Sequence, residues 1–540
     1  MDRRRFLKLA GLTAGETSAA VAVARALASV DGDADVSRPT NLKDAAGTAQ
    51  VGDRGAWGRL VRLVDEAGRR ITPIHSILMP SGVVLMIAHH NRTAFLLDPG
   101  DDARTKTLAT MVVPTKQSND GLLCAGHVAL ADGRLLVVGG SRKRGDDEKG
   151  LDYGLLLDPS EGTWARISPD MRGGARWYPT ATRLPDSRIL ITGEYFDWGE
   201  SVNRSIEIFD PVAYDAAQNA WTELISSEGN PWKIEANGED YTHVFVLPRP
   251  IEVGGRRRQV LMVGRTGIVH FVNVTDDFTN SANRFTLRRN SSRPGGAKAD
   301  GASSVLLPSG EIMIVGGSSR RKVQERADIY DPVRDQWRSI STGIAHYYPA
   351  TVLLPDGTVF VVNGLQEDGA GARSPQIIDP QKEGVVTGPP WPDKRERGYH
   401  NTALLMPDGR ILTAGGGRSD ARFYSPSYLS KPELRPRITS LPKSIGFGRI
   451  RRIGYENGPV HRVTMIALGA MTHCFDQNQR LVVLFDGLSE HGAVTIRGPA
   501  NAAIASPGDY MIFLLRRVEV AARTFEVPSV AGVVRLASDA

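Results

Sequence analysis

The chain has 540 residues, enough for more than one domain and a large core. Its 57 glycines and 32 prolines point to many turns, and a hydrophobic content of 41% excludes a disordered chain. The formal charge of +6 falls to +3 once residues 1–28, with five basic and two acidic side chains, are set aside. The short basic runs Arg256–Arg258 and Arg320–Lys322 have no interleaved aromatics and are expected at hairpin tips, which argues against a nucleic-acid groove.

The N-terminus reads as an export signal. Arg3-Arg4-Arg5-Phe6-Leu7-Lys8 is similar to the twin-arginine signal of the bacterial Tat translocase, and an Ala-rich stretch then runs to the small-x-small sequence Ala26-Leu27-Ala28. Glu16 and Arg25 interrupt that stretch, so it makes a poor lasting membrane span. Residues 1–28 are therefore expected to be a signal peptide and 29–54 a linker, with the protein periplasmic, extracellular or associated with the cell envelope.

From residue 72 to 426 one unit recurs: an apolar strand, a Pro-Asp-Gly-type turn, a second apolar strand often followed by Gly-Gly, and a later strand ending in Asp-Pro. The turns are MPSG (79–82), LADG (130–133), LPDS (184–187), LPRP (247–250), LPSG (307–310), LPDG (354–357) and MPDG (406–409), 47 to 63 residues apart. Trp164, Trp221 and Trp337 follow three of the later strands. A period near ~50 is the kelch pattern, with one four-stranded propeller blade per unit. Seven turns predict a seven-bladed kelch-type β-propeller over 55–430, and no helical periodicity competes with it.

Equivalent positions of the inner strands form rings around a propeller channel. Seven residues before each turn stand Pro73, Cys124, Tyr178, Tyr241, Gly301, Tyr348 and His400. A thiol, phenols and an imidazole thus share one level at one mouth of the channel, with Tyr399 beside His400. Adjacent residues on a regular strand face opposite ways, so Tyr399 and His400 can meet at one point only where the strand is starting or bulged.

GLLCAGHVALADGRLLVVGG (121–140), RWYPTATRLPDSRILITG (176–193), RGYHNTALLMPDGRILTAGG (397–416) and MTHCFDQNQR (471–480) together resemble the copper radical oxidases, meaning galactose oxidase and more closely glyoxal oxidase. The resemblance spans roughly 50–540. It implies a thioether from Cys124 to the ring of Tyr178, forming a redox-active tyrosyl radical cofactor. It also implies copper held by Tyr178, Tyr399, His400 and His473, with Tyr399 as proton acceptor. Imidazole and phenolate donors suit copper(II), and no clustered Cys/His spacing points to structural zinc. Tyr348 and Tyr241 are expected to line the site. An aromatic shield over Tyr178 is expected from Trp198 or Phe196, with Trp177 as packing.

Residues 435–540 read as short strands, VHRVTMIAL, RLVVLFDG, AVTIRGP and YMIFLL among them. They resemble the family's immunoglobulin-like β-sandwich domain, whose long hairpin carries a ligand histidine through the channel, here His473. Cys474 should face away from the metal into packing; a Cys124–Cys474 disulfide is the alternative that two cysteines leave open. His89, His90 and His127 read as surface or satisfied core residues. The expected activity is oxidation of a small aldehyde, primary alcohol or sugar by O2, releasing hydrogen peroxide. A non-catalytic kelch-propeller scaffold at the cell surface and a copper binder lacking the radical are the alternatives.

Overall fold

The computed structural model describes residues 51–538 apart from 89–91, 101–104, 145–146, 194, 198–200, 226–240, 254, 265–266, 273, 275–284, 320–321, 367, 393–396 and 521–522. The signal segment, His89, His90, Trp198 and most of the Arg320–Lys322 run lie outside the described residues.

Apolar strands separated by tight turns close into seven four-stranded antiparallel blades among the described residues. Blades 1 to 6 take their inner strands from Pro73–Leu78, Gly126–Ala129, Thr180–Arg183, His243–Val253, Ala302–Leu306 and Ala350–Leu353. Blade 7 starts at Asn401–Leu405, and its outer strand is Ala56–Val64, paired antiparallel with Asp420–Ser425. The first described strand thus locks the last blade. In five of the seven turns glycine sits at φ between 84° and 93°, a left-handed conformation that costs glycine little. Ser187 holds the same place in blade 3 at φ 70°.

Blade 4 departs from expectation. LPRP is not its turn: the strand runs through it to Val253, and the partner strand starts at Arg256. Pairing slips between Val246 and Ile251, where Pro248 and Pro250 have no N–H to give the ladder. Arg256–Arg258 therefore opens a strand rather than capping a hairpin, and Arg258 is buried.

Blade faces pack through Val, Ile, Leu and aromatic side chains, while the inner strands carry buried polar groups. These groups stitch neighbouring blades around the channel: Ser76 Oγ to Thr402 Oγ1 at 2.9 Å, Thr180 Oγ1 donating to Thr242 O at 2.6 Å, and Ser303 Oγ to Thr351 Oγ1 at 2.7 Å. A five-stranded sheet of short polar segments (Asp120–Gly121, Ser141–Arg144, Asp147–Gly150, Tyr195–Asp197 and Ser201–Val202) is an addition to the repeat.

The C-terminal region forms two further sheets, one from Arg437–Ser440, Ile450–Glu456 and Ala493–Arg497, the other centred on Val460–Ala467 and Gly508–Val520. They enclose Ile453, Val463, Met465, Ile512 and Leu514, giving an all-β molecule of propeller and immunoglobulin-like sandwich. From the sandwich a hairpin, Ala470–Thr472 and Phe475–Asp476, enters the channel and adds to the inner edge of blade 1, with His75 opposite Thr472. It also packs on the inner strands of blades 2, 5, 6 and 7. No helix among the described residues is long and apolar enough to cross a membrane.

Candidate metal centre

The ring level has a backbone signature. Cys124 (φ 57°), Tyr178 (61°), Gly301 (62°), Tyr348 (59°) and His400 (67°) are all left-handed, each at the threshold of its inner strand. L-residues pay on the order of 1–2 kcal/mol for this conformation, and such strain collects at functional sites. Proline cannot adopt it, so Pro73 is an exception, as is Tyr241. The level is tied across blades by backbone bonds, Tyr178 N to Cys124 O at 3.0 Å and Tyr348 N to Gly301 O at 2.7 Å. At Gly301 a Cβ would fall 2.1 Å from the Tyr347 ring, so a side chain is excluded there.

His400 sits between Tyr399 and the regular strand Asn401–Leu405, and its left-handed turn breaks the alternation that would separate the two rings. Their centroids are 4.0 Å apart. The hairpin delivers the remaining residue: His473 (φ 46°) and Cys474 (φ 73°) are the two central residues of its turn, where positive φ at both positions matches strand twist. Asn or Gly is usual there; imidazole and thiol occupy the tip instead.

These elements converge. The metal-binding atoms of Cys124, His400 and His473 lie within 4.8 Å of one another. Cys124 Sγ is 3.1 Å from His473 Nε2, and His473 Nδ1 is 2.6 Å from Thr472 Oγ1. With Nδ1–H donating to that hydroxyl, the Nε2 lone pair is presented to the cluster. The hydroxyls of Tyr178 and Tyr399 are 2.5 Å apart. The His473 ring lies 5.3 Å from Tyr178, 5.0 Å from Tyr399 and 4.4 Å from His400. Two imidazoles, two phenols and one sulfur around one point are a donor set that fits copper.

Cys124, Tyr178, Tyr241 and His473 are buried, whereas Tyr347, Tyr348, Tyr399 and His400 are half-buried, so the pocket has a closed floor and an accessible rim. Tyr348 stands 4.8 Å from Tyr399, and Tyr241 5.2 Å from His473 with its hydroxyl on Ala125 O. Trp177 stacks on Tyr178 at 5.5 Å and 21°, and Tyr195 meets the same ring edge-on. Phe196 packs over Gly174.

Both cysteines are free thiols, so the disulfide alternative falls. Cys474 turns away from the cluster, accepting from Asn401 Nδ2 at 3.0 Å and donating to Tyr348 O at 3.2 Å. His127 is not a satisfied core histidine. It is buried with neither ring nitrogen bonded within the protein, and burial pushes it down to about 3. Across from it, 5.2 Å away, is His75, held well below the usual imidazole range by burial and by repulsion from His127 and His400. His75, Thr472 and Tyr195 went unread in the sequence. The available signal was a polar residue inside an otherwise apolar inner strand.

Residues 435–536 match the family described as galactose oxidase-like, Early set domain. The chain is 24% identical over 530 residues to galactose oxidase of Gibberella zeae, covering 91% of this chain and 72% of that protein. It is 25% identical over 462 residues to an aldehyde oxidase of Vitis pseudoreticulata (76% and 81% covered), and 23% over 453 residues to one of Arabidopsis thaliana (71% and 68%). In fold it is similar to a fungal alcohol oxidase solved in complex with copper, with TM-score 0.69, 21% identity, and 89% and 99% of the two chains covered. The ring of left-handed residues, the hairpin-borne histidine and these relatives lead to one conclusion: along most of its length the chain is similar to the copper radical oxidases, galactose oxidase and the aldehyde oxidases among them.

Proposed function

We propose that this chain is an exported copper-dependent oxidase that converts a small aldehyde or primary alcohol, using O2 and releasing hydrogen peroxide. The observation that carries the reading is the meeting of Cys124, Tyr178, Tyr399, His400 and His473 from three blades and the hairpin. For a primary alcohol the balance is RCH2OH plus O2 giving RCHO plus H2O2. His400, His473, Tyr178 and Tyr399 would hold copper, which when bound supplies a position for substrate oxygen and one of the two oxidising equivalents.

The chain supplies the rest. The Tyr399 oxygen, on the accessible side and 2.5 Å from that of Tyr178, would accept the substrate hydroxyl proton as its phenolate and become the phenol. Cys124 and Tyr178 become joined by a thioether; the thiol hydrogen and one ring hydrogen leave with two electrons, which reduce O2 to H2O2. In its one-electron-oxidised phenoxyl form the linked Tyr178 would provide the second oxidising equivalent and take the carbon-bound hydrogen, becoming the phenol. Trp177 covers one face of that ring and keeps water from it.

Denaturing mass spectrometry after aerobic copper loading tests this reading. A Cys124–Tyr178 cross-linked peptide, lighter by two hydrogens, is expected, and Cys124→Ala should keep copper while losing turnover. A free thiol at Cys124 would sink the radical reading. It would favour a second one suggested by the Cys124–His400–His473 cluster: a histidine–thiolate copper site of the electron-transfer kind. Export by Tat is part of the proposal. Replacing Arg3 and Arg4 with Lys should trap the chain in the cytoplasm, and undiminished export would refute it.

A further inference from the structure

At the far end of the channel from the candidate metal centre lies a cavity of about 50 Å³, several times the roughly 10–15 Å³ that one water requires. Its wall is made by Thr182 and Arg183 of blade 3, Val244–Val246 of blade 4, the 477–480 segment leaving the hairpin, and Ser506 and Tyr510 of the sandwich. Arg183 ends the strand Thr180–Arg183, whereas Tyr178 stands before its start, so the strand itself separates them by roughly 10 Å at ~3.3 Å per residue. The two places are therefore separate.

Two guanidinium groups face this space, and no carboxylate lines it. Arg183 is 7% exposed; its Nη1 donates to Ala129 O and Leu130 O, and its Nε has no partner. Its guanidinium packs against Gly508, where a Cβ would stand 2.2 Å from Nη1. Arg480 spends one donor on Val246 O at 2.7 Å. Burial, with Arg183 adding to it, pushes Arg480 down to about 10.

A third donor is fixed by its own amide. Gln477 Oε1 accepts from His127 N at 3.2 Å and Ala181 N at 3.1 Å, which determines which end of the group is oxygen. Its Nε2, on a side chain 9% exposed, is left as a buried donor with no partner. The nearby acids are engaged elsewhere. Asp509 is held by Arg535 at 2.9 and 2.8 Å, and Asp476 accepts from the backbone of Ala470 and Asn478.

A buried cation (Arg183) beside a half-buried one (Arg480) without counter-charge, and a buried amide donor without an acceptor, are each costly, and here they occur around one cavity. We propose that this cavity is a binding site for a small oxyanion, phosphate or sulfate, held by Arg183, Arg480 and Gln477. The anion neutralises the arginine pair and clips together blade 3, the base of the hairpin and the sandwich. The site is independent of the redox reading, because none of its residues touches the Cys124–His473 cluster.

Isothermal titration of the full chain with sodium phosphate, sodium sulfate and, at matched ionic strength, sodium chloride decides the matter. Saturable one-to-one binding of at least one oxyanion is expected, with the melting temperature raised by about 2 °C at tenfold over half-saturation. Arg183→Met and Arg480→Met should each weaken binding at least tenfold. Gln477→Glu, which brings its own negative charge while keeping the acceptor used by His127 and Ala181, should abolish binding and raise the melting temperature of anion-free protein. No saturable binding of either oxyanion, binding of chloride alone, or oxyanion binding unchanged in Gln477→Glu overturns the proposal, whether or not the methionine variants fold.

Discussion

At the scale of single residues the governing feature is backbone conformation. Cys124, Tyr178, Tyr348, His400 and His473 are non-glycine residues at φ between 46° and 67°, where glycine or asparagine would be easier to accommodate. Each turn aims a reactive side chain that a regular strand would send elsewhere. The reactive groups then have distinct tasks. Under the proposed function, Tyr399→Phe would remove the proton acceptor 2.5 Å from Tyr178 and leave both histidines. Turnover should fall on the order of 10²-fold or more with copper retained, as peroxide release and metal analysis would measure; near-normal turnover would contradict the assignment. The ring positions were legible because they stand at a fixed offset from a turn that glycine and proline announce. His75 and His127 were not, since a lone histidine in an apolar strand has no periodicity to expose it.

At the scale of elements, buried arginine–carboxylate pairs anchor the segments that carry the site. Arg176, two residues before Tyr178, bonds Glu207 and the carbonyls of Gly193 and Ser205; Arg397, two before Tyr399, bonds Asp420 and Gly415 O. Arg293 repeats the arrangement with Asp328 and Gly316 O in blade 5. In each the guanidinium ties the approach to an inner strand to the end of the second strand and to an acid on the third. Breaking such a pair leaves a buried charge without compensation, so Arg397→Met should cost about 3–5 kcal/mol in urea denaturation, and Arg397→Met/Asp420→Leu should recover most of it. Equal losses in both variants would show that the pairing itself contributes little. The polar strands Ser141–Arg144 and Asp147–Gly150, by contrast, have no apolar alternation and gave no strand signal. In blade 4, LPRP imitated a turn because prolines interrupt a ladder and end one with the same residues.

At the scale of the molecule, enclosed imidazoles make stability depend on pH. His127 and His243 are fully buried, and burial pushes both down to about 3, the charge of Arg293 adding at His243. Below the ordinary imidazole value of 6.5 the unfolded chain binds protons at these positions that the folded chain refuses. Their contribution is complete above that pH and is lost toward 3, at about 1.4 kcal/mol per pH unit for each. Asp476, raised to about 6 by burial, acts in the opposite sense between its usual 3.8 and that value. Buried His75 and His346 are lowered as well, while Asp356, Glu223 and Glu526 are raised like Asp476; the imidazoles are the more strongly shifted between pH 5 and 7.5, so the urea midpoint should be lower at pH 5 than at pH 7.5. An equal or higher midpoint at pH 5 would count against neutral, enclosed histidines.

The propeller closes only when Ala56–Val64 meets Asp420–Ser425, and the hairpin bearing His473 lies later in the chain than every strand of that ring. The two events make the order of biosynthesis a safeguard. A nascent chain has neither a sealed channel nor a full donor set until some 470 residues have been made, so a fragment released early cannot assemble the centre. A full donor set is thus itself a record that synthesis has passed the hairpin.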